Sequence, residues 1–475
     1  MKKKYFHVFY VLLFFIICAF PLYGLIAYVQ PESTEIKDTA ALQGLKTEDG
    51  KFNFHIMDEV GTVFSESFAG RQELISFNAF VYSRIFKTSS VNNVIVGRDG
   101  WLFFKGTLTD YTGENKASER DVKNVVKTMQ LMSEYANKMG STFSVFIAPN
   151  KNTIYPEYMP YYYIKGTGES NLQRVEEEMK IQGINHVSAV DLFSNKDKLL
   201  YYKGDSHWNS FGAEIASDAI LNLLQKDHRQ YGKEKWVKKG PIEGDLNKML
   251  YPLLVSPKKA TERLYLPKKG FGYTTVGTET SRIPEIETEN KSGEGSLLMF
   301  TDSFMGAILP FLAEEYQNAY FASNLPYRID ALQEQKTDDC IVEIVERNIL
   351  WLQSHAPVMP APIRILEDTP RSASSKKISF GQENFERYIK IWGGIDVEHT
   401  DIGAPIYIKL SSGNEVYIFE AFAVKEDDNE EELDQGFTLY IQLEDVVVGD
   451  YEIEIITEKN GELLSFQTDS SVNVQ

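Results

Sequence analysis

Cysteine is nearly absent from this sequence: 475 residues hold two, Cys18 and Cys340. Cys18 lies in an apolar run whose surroundings, FIICAF, carry no lipoprotein signal, and Cys340 lies in DDCIVEIVE, which reads as a buried strand. The two are not expected to meet, so no disulfide is expected, and Cys340 reads as a small core hydrophobe. Positive charge is also short, with 49 Lys and Arg against 68 Asp and Glu and a formal net charge of −19. Such a chain is repelled by phosphate backbones, which argues against a nucleic-acid partner. A neutral carbohydrate is compatible with it, as are most small molecules. Histidine is scarce, seven in all, so the setting of each one is informative. No internal repeat occurs.

The remaining composition, 43% hydrophobic and 25% charged, is that of a globular protein, and the length exceeds what one ordinary domain needs. At the N-terminus MKKK precedes YFHVFYVLLFFIICAFPLYGLIAYV, residues 5–29, which hold no Asp, Glu, Lys or Arg. That run is long enough to span a bilayer, and the lysines before it place the rest of the chain outside the cytoplasm. A cleaved signal peptide is the rival reading, but its apolar core is normally shorter, and no small-x-small cleavage site follows. The expectation is an N-terminal transmembrane helix within residues 1–30, followed by a polar tether over 31–50.

Downstream, strand and helix patterns alternate. VNNVIVGRDGWLFF reads as two short strands around a glycine turn. DVKNVVKTMQLMSEYANKMG is an amphipathic helix stopped at Gly140, and STFSVFIAP is a strand. NLQRVEEEMKIQGI is a second helix, HVSAVDLF the next strand, and FGAEIASDAILNLLQK a third helix. Residues 228–292 are charged and irregular and read as an insertion. GSLLMF is a strand, TDSFMGAILPFLAEEY a turn into a helix, QNAYFAS a strand, and DCIVEIVERNILWL closes the region. This alternation predicts an α/β domain over 51–355 with a mostly parallel sheet. Residues 356–376, rich in Pro, Ser and charge, read as a linker. Residues 377–475 hold short alternating runs such as YIKIWGGIDV and EVYIFEAFAV between turn signals, the pattern of an all-β sandwich.

One stretch concentrates chemistry. In YYKGDSHWNSFGAE, residues 201–214, Asp205 and His207 stand two apart, and in an extended chain they would project to the same side. A carboxylate bonded to one imidazole nitrogen fixes the tautomer and leaves the other nitrogen free as a base. A nucleophile for that base is offered about a hundred residues downstream by Ser303, which follows the strand SLLMF and opens a helix. A serine there sits near the positive helix end and near free N–H groups that can hold an oxyanion. Plainer readings stand beside this one. Ser303 and Asp302 could be helix caps, and His207 could be a core histidine bonded to Asp205. A metal reading of Asp-x-His lacks further ligands nearby, so no metal is expected. Trp208 is core packing or a pocket wall. Asn150 and Lys151, in the loop after a strand, are candidates for oxyanion or substrate contacts, with a plain turn as the alternative for Asn150. Spacing does not decide whether His207 and Ser303 meet.

VIVGRDGWLFF, APNKNTIYPEYMP, YYKGDSHWNSFGA, TDSFMGAILPFLAEEY and IVEIVERNI follow one another in that order. Over roughly residues 50–355 this resembles the SGNH-hydrolase-like proteins of alginate O-acetylation and their relatives in other bacterial polysaccharide systems. The resemblance implies a three-layer SGNH-hydrolase-like domain and a triad in which Asp205 orients, His207 is the base and Ser303 the nucleophile. It implies acetyl transfer to hydroxyls of an exported polysaccharide, with no bound cofactor. The acetyl group would come across the membrane from a multi-pass membrane O-acyltransferase partner. In some relatives a C-terminal β-sandwich binds glycan; here Tyr388, Trp392 and Tyr407 could form a stacking surface or pack the sandwich core. Where the family often has Gly-Asp-Ser, this chain has Thr-Asp-Ser at 301–303. The alternatives are an O-acetylesterase using the same residues and a non-catalytic glycan-binding scaffold.

Overall fold

The computed structural model describes residues 7–16, 19, 52–54, 56–58, 61, 71–194, 197–252, 262–277, 286–374, 378–425 and 435–474. Residues 7–16 are helical with exposed apolar side chains. Most of the rest of the apolar run at 5–29, and the tether at 31–50, lie outside the described residues. Among the described residues no helix is long and apolar enough to cross a membrane.

The chain divides into two compact units, residues 1–96 with 243–260 and residues 97–242 with 261–475. The first contains the helix Arg71–Val81, a π-helical turn over Tyr82–Phe86 and the short helix Asp245–Leu250. In it the Tyr251 hydroxyl donates to Ser83 Oγ at 2.7 Å.

The second unit is built on a six-stranded sheet. Its strands are β1 (Thr142–Ala148), β2 (Thr274–Gly277), β3 (Ile286–Glu289), β4 (Ser296–Phe300), β5 (Asn318–Ala322) and β6 (Asp339–Val345), in the order β1-β6-β4-β5-β3-β2. The expected mostly parallel sheet is a mixed one. β1, β6, β4 and β5 are parallel neighbours, whereas β3 and β2 are antiparallel additions at one edge. Those two strands come from the segment read as an insertion. The eight residues between them are too few for the crossover a parallel pair requires.

Four helices cover the sheet: α1 (Glu119–Lys138), α2 (Asn171–Ile181), α3 (Ser210–Leu223) and α4 (Met305–Glu315). α1 starts at a capping box in which Ser118 Oγ accepts from the Asp121 amide and the Asp121 carboxylate accepts from the Ser118 amide. Alternation along β1 separates the two faces. Phe143, Val145 and Ile147 pack with Val125, Met129 and Met132 of α1 and Leu172, Val175 and Met179 of α2. Phe146 points the other way, its ring 6.1 Å from that of Trp208 just before α3. The result is three layers. HVSAVDLF does not form the expected strand: it makes a single bridge, Val145 with His186, and then a helical turn, Ala189–Leu192. The buried Glu176 carboxylate accepts from the Ala189 amide at 3.0 Å and from Ser188 Oγ at 3.1 Å, which fixes a helix start where the strand would have continued.

The C-terminal region is all β. Its strands are β7 (Arg371–Ala373), β8 (Ile378–Phe385), β9 (Tyr388–Ile395), β10 (Ile406–Ser412), β11 (Glu415–Val424), β12 (Gln435–Gln442), β13 (Gly449–Lys459) and β14 (Glu462–Val474). They form one continuous sheet in the order β7-β14-β13-β10-β11-β12-β9-β8. β11 pairs with β10 over Glu415–Ala421 and with β12 over Phe422–Val424, so the sheet changes partner within one strand. Ile389, Ile391, Leu439 and Ile441 from one part of the sheet share a core with Ile406, Ile408, Ile453 and Phe466 from the other. The segment read as a linker is packed rather than free: the Ala361 amide donates to Tyr440 O, and Pro360 and Ile363 bridge to Tyr440 and Phe419. Tyr388 is fully buried and donates to Asp330, so it belongs to the core and not to a stacking surface. Trp392 and Tyr407 are half-buried.

Candidate active site

β4 is apolar and central, and the chain leaves its C-terminal end through Thr301, Asp302 and Ser303 before α4 begins. The Thr301 amide donates to Ala322 O at 2.9 Å, which carries the sheet pairing one residue further. Asp302 holds the turn. Its carboxylate accepts from the Phe304 amide at 3.0 Å, the Val345 amide at 2.9 Å and Asn348 Nδ2 at 3.3 Å. Ser303 is left exposed at the top of the turn. It is not the helix N-cap; Phe304 holds that position, in αR conformation and without a side-chain cap.

Asp205 and His207 arrive on a different segment. Residues 203–207 are turns and bends, not the extended stretch expected from the two-residue spacing. The pair forms nonetheless, because Asp205 Oδ1 accepts from the His207 amide at 2.9 Å and lies 2.7 Å from His207 Nδ1. This is an aspartate turn that folds the imidazole back onto its own carboxylate. The opposite ring nitrogen, Nε2, is 2.9 Å from Ser303 Oγ. With Nδ1 facing a carboxylate, the proton belongs on Nδ1 and Nε2 is an acceptor for the serine hydroxyl.

Three further contacts fix this loop. Trp208 is buried and its Nε1 donates to Phe304 O at 3.1 Å, while the Phe304 ring stands 5.0 Å from both the His207 and the Trp208 rings. The residue after Ser303 is thus the one that packs against both His207 and Trp208. Asn209 caps α3, its Oδ1 accepting from the Phe211 amide at 2.9 Å and the Gly212 amide at 3.2 Å. Gly212 is required by close approach, since a Cβ there would stand 2.5 Å from Leu200 O.

Lys151 and Asn150 do not occupy the positions expected of cleft residues. Lys151 is buried, and its ammonium donates to Leu102 O and Lys203 O at 2.7 Å and to Asp205 O at 2.8 Å, under the rings of Trp101 and Phe103. It pins the backbone that carries Asp205. The Asn150 amide donates to Glu346 Oε2 at 2.7 Å and its Nδ2 donates to Asp110 at 2.9 Å. Burial pushes the Asp110 carboxyl up and takes Glu346 to about 7. Glu343, inside β6, is wholly buried and accepts from Thr301 Oγ1; burial and the neighbouring Asp302 push its carboxyl far above the usual range. Arg347 lies 5.7 Å from the Phe304 ring centroid and 5.4 Å from that of Phe104. Of these, the sequence points to Asp302 only as a cap, and it does not point to a site role for Glu343, Phe304 or Arg347. Glu343 left a signal, an acid in the middle of the apolar run CIVEIV.

Residues 94–268 match the SGNH hydrolase-like domain of the acetyltransferase AlgX. The AlgX-like segment covers Asp205 and His207 and ends before Ser303. It agrees with the resemblance drawn from the sequence. No curated protein matches the chain. Among solved structures, the O-acetyltransferase domain of Pseudomonas putida AlgJ is similar at 18% identity and TM-score 0.36, over 54% of this chain and 92% of that one. Bacillus cereus PatB1 is similar at 16% identity and TM-score 0.40, over 54% and 96%. Pseudomonas aeruginosa AlgX is similar at 13% identity and TM-score 0.34, over 80% and 94%.

Proposed function

We propose that the protein is a polysaccharide O-acetyltransferase in which Ser303, His207 and Asp205 act as a triad. The observation that carries this reading is the 2.9 Å approach of His207 Nε2 to Ser303 Oγ, on an imidazole whose Nδ1 is held by Asp205. Ser303 Oγ attacks the carbonyl carbon of an acetyl ester and passes its proton to Nε2. The C–O bond to the donor then breaks and that proton goes to the leaving oxygen. A sugar hydroxyl attacks the acetyl-serine, gives its proton to Nε2, and Ser303 departs with it. The Ser303 amide, at the start of the turn into α4, is the donor assigned to the oxyanion. The charged MKKK before an apolar run supports action outside the cytoplasm at a membrane, with an exported glycan as acceptor. A multi-pass membrane O-acyltransferase is the partner proposed to deliver the acetyl group. Asn150, Lys151 and Trp208 are assigned to holding the site rather than to touching substrate.

Hydrolysis is the second reading, because Ser303 is exposed and water reaches an acetyl-serine there. The test is to incubate the full chain with an activated acetyl ester and follow acetylation of Ser303 by intact-protein mass spectrometry. Labelling is expected in the wild type and absent in Ser303→Ala and His207→Ala. Asp205→Asn should slow it by roughly 10⁴-fold with the fold intact, since the imidazole loses the partner that sets its tautomer. Acetyl appearing on added glycan marks transfer, and free acetate alone marks the esterase. No labelling in folded wild-type protein would leave the scaffold reading.

A further inference from the structure

Two carboxyl groups meet beneath the nucleophile turn, and their surroundings are unequal. Asp302 accepts from three N–H donors, the Phe304 amide, the Val345 amide and Asn348 Nδ2. N–H donors cannot reverse, so in all three contacts the Asp302 carboxyl is the acceptor. Glu343 sits in β6, none of it reached by solvent, with β1 and β4 on either side. Its Oε2 meets Thr301 Oγ1 and, at 3.4 Å, the Asp302 amide; its Oε1 is buried and has no hydrogen-bond partner. A hydroxyl can accept as well as donate, so Thr301 can receive a proton from Glu343 as readily as give one. A buried charge with half its lone pairs unmet, beside a second carboxylate, is the costlier arrangement.

We infer that Glu343 is a positioning residue that remains protonated in the folded protein, and that its neutral carboxyl, paired with Thr301, sets the turn presenting Ser303. Thr301 is buried and its hydroxyl bonds Glu343, so a side-chain hydrogen bond holds the turn from below. The groups facing Glu343 are Asp302 from the turn, Arg347 from the segment after β6, and the buried phenols of Tyr327 and Tyr201. Burial is the largest influence and opposes ionisation of Glu343, Asp302 opposes it further, and the Thr301 hydroxyl, the Asp302 amide and Arg347 favour it without offsetting burial. Once pH rises far enough to remove the proton, two adjacent carboxylates repel in the interior and the turn loosens. Presentation of Ser303 then has an alkaline limit set by Glu343. The kinetic part of this inference rests on the proposed role of Ser303; the protonation state does not.

The experiment therefore has two readouts on the full chain. Infrared difference spectra between wild type and Glu343→Gln, taken at pH 8, should show a protonated-carboxyl C=O band that the variant lacks. Its absence would overturn the inference whatever Ser303 does. Acetylation of Ser303 by an activated ester is then followed against pH. Glu343→Gln, permanently neutral and able to donate to Thr301, should label within about threefold of wild type at neutral pH and hold that rate to higher pH, because a donor still fills the site. Glu343→Ala should label about tenfold or more slowly, with the loss in kcat rather than KM, because the turn loses its buried partner. A Glu343→Gln rate as low as that of Glu343→Ala, or an unchanged alkaline limb, would overturn the positioning role. Failure of wild type to label at all would count against the acetyltransferase reading, with the infrared band still deciding the protonation state.

Discussion

Lys151 shows how far a side chain's role depends on what surrounds it. In sequence it is a basic residue in a polar loop, APNKN, and a cleft-facing role is a fair reading. In the fold its ammonium is the shared donor for three carbonyls from two segments, one of them Asp205 O. Lys151→Met keeps the length of the stem and removes every donor. Leu102 O and Asp205 O then lose this donor, while Lys203 O keeps the Leu102 amide, and a loss of about 2 kcal/mol is expected in chemical denaturation, given that each unmet group costs about 1 kcal/mol or more. The same variant should acetylate Ser303 more slowly, since the turn that aims Asp205 at His207 is no longer held. Unchanged stability would mean that water replaces the ammonium at both carbonyls.

At the scale of elements, the sheet edge that carries the site also carries buried acids on the strand next to β4. Glu346, at the end of β6, accepts from the Asn150 amide and Thr153 Oγ1, and so ties the loop after β1 to β6. Its carboxyl is raised by burial from an ordinary 4.5 to about 7. A raised carboxyl binds its proton more tightly folded than unfolded, so this contribution is fully present below about pH 4.5 and is lost as pH rises toward 7. The full effect is on the order of 3 kcal/mol. Glu346→Gln keeps an oxygen for both donors and cannot ionise. Its thermal stability should fall less between pH 5 and about 8 than that of the wild type. Parallel pH profiles for the two proteins would show that Glu346 ionises at its ordinary value.

At the scale of the molecule, the α/β and all-β parts of the second unit are joined by ion pairs rather than by a free linker. Asp330 is buried and accepts from Arg328 at 2.9 Å, Arg387 at 3.0 Å and the Tyr388 hydroxyl at 3.0 Å. Glu420, also buried, accepts from Lys127 at 2.7 Å and Arg364 at 2.6 Å, and Arg364 also reaches Glu134 on α1. Asp330→Ala leaves two guanidinium groups and a buried phenol facing each other without their carboxylate. A loss of about 3 kcal/mol is expected, with faster amide exchange in β9. Exchange confined to the exposed loops would show that the two parts hold without Asp330.

Much of this molecule is determined by sequence alone. The four helices over the sheet and strands β1, β4, β5 and β6 follow from apolar periodicity, because burial of one face is a local requirement. The short runs of the C-terminal region follow from alternation, for the same reason. His207 could be singled out because the sequence holds only seven histidines, and Asp205 and Ser303 because one stands two residues from it and the other follows a strand and opens a helix. Tertiary structure decided the rest. The edge strands β2 and β3 are not legible in the sequence because β3 pairs with the distant β5 and both are largely polar. The helical turn at Ala189 is set by Glu176, which lies on another helix. Whether His207 meets Ser303, and whether Lys151 faces a cleft or a ring of carbonyls, depends on segments far apart in the chain. So does the ionisation of Glu343, since a carboxyl's charge is fixed by the donors and water around it and not by its place in the sequence.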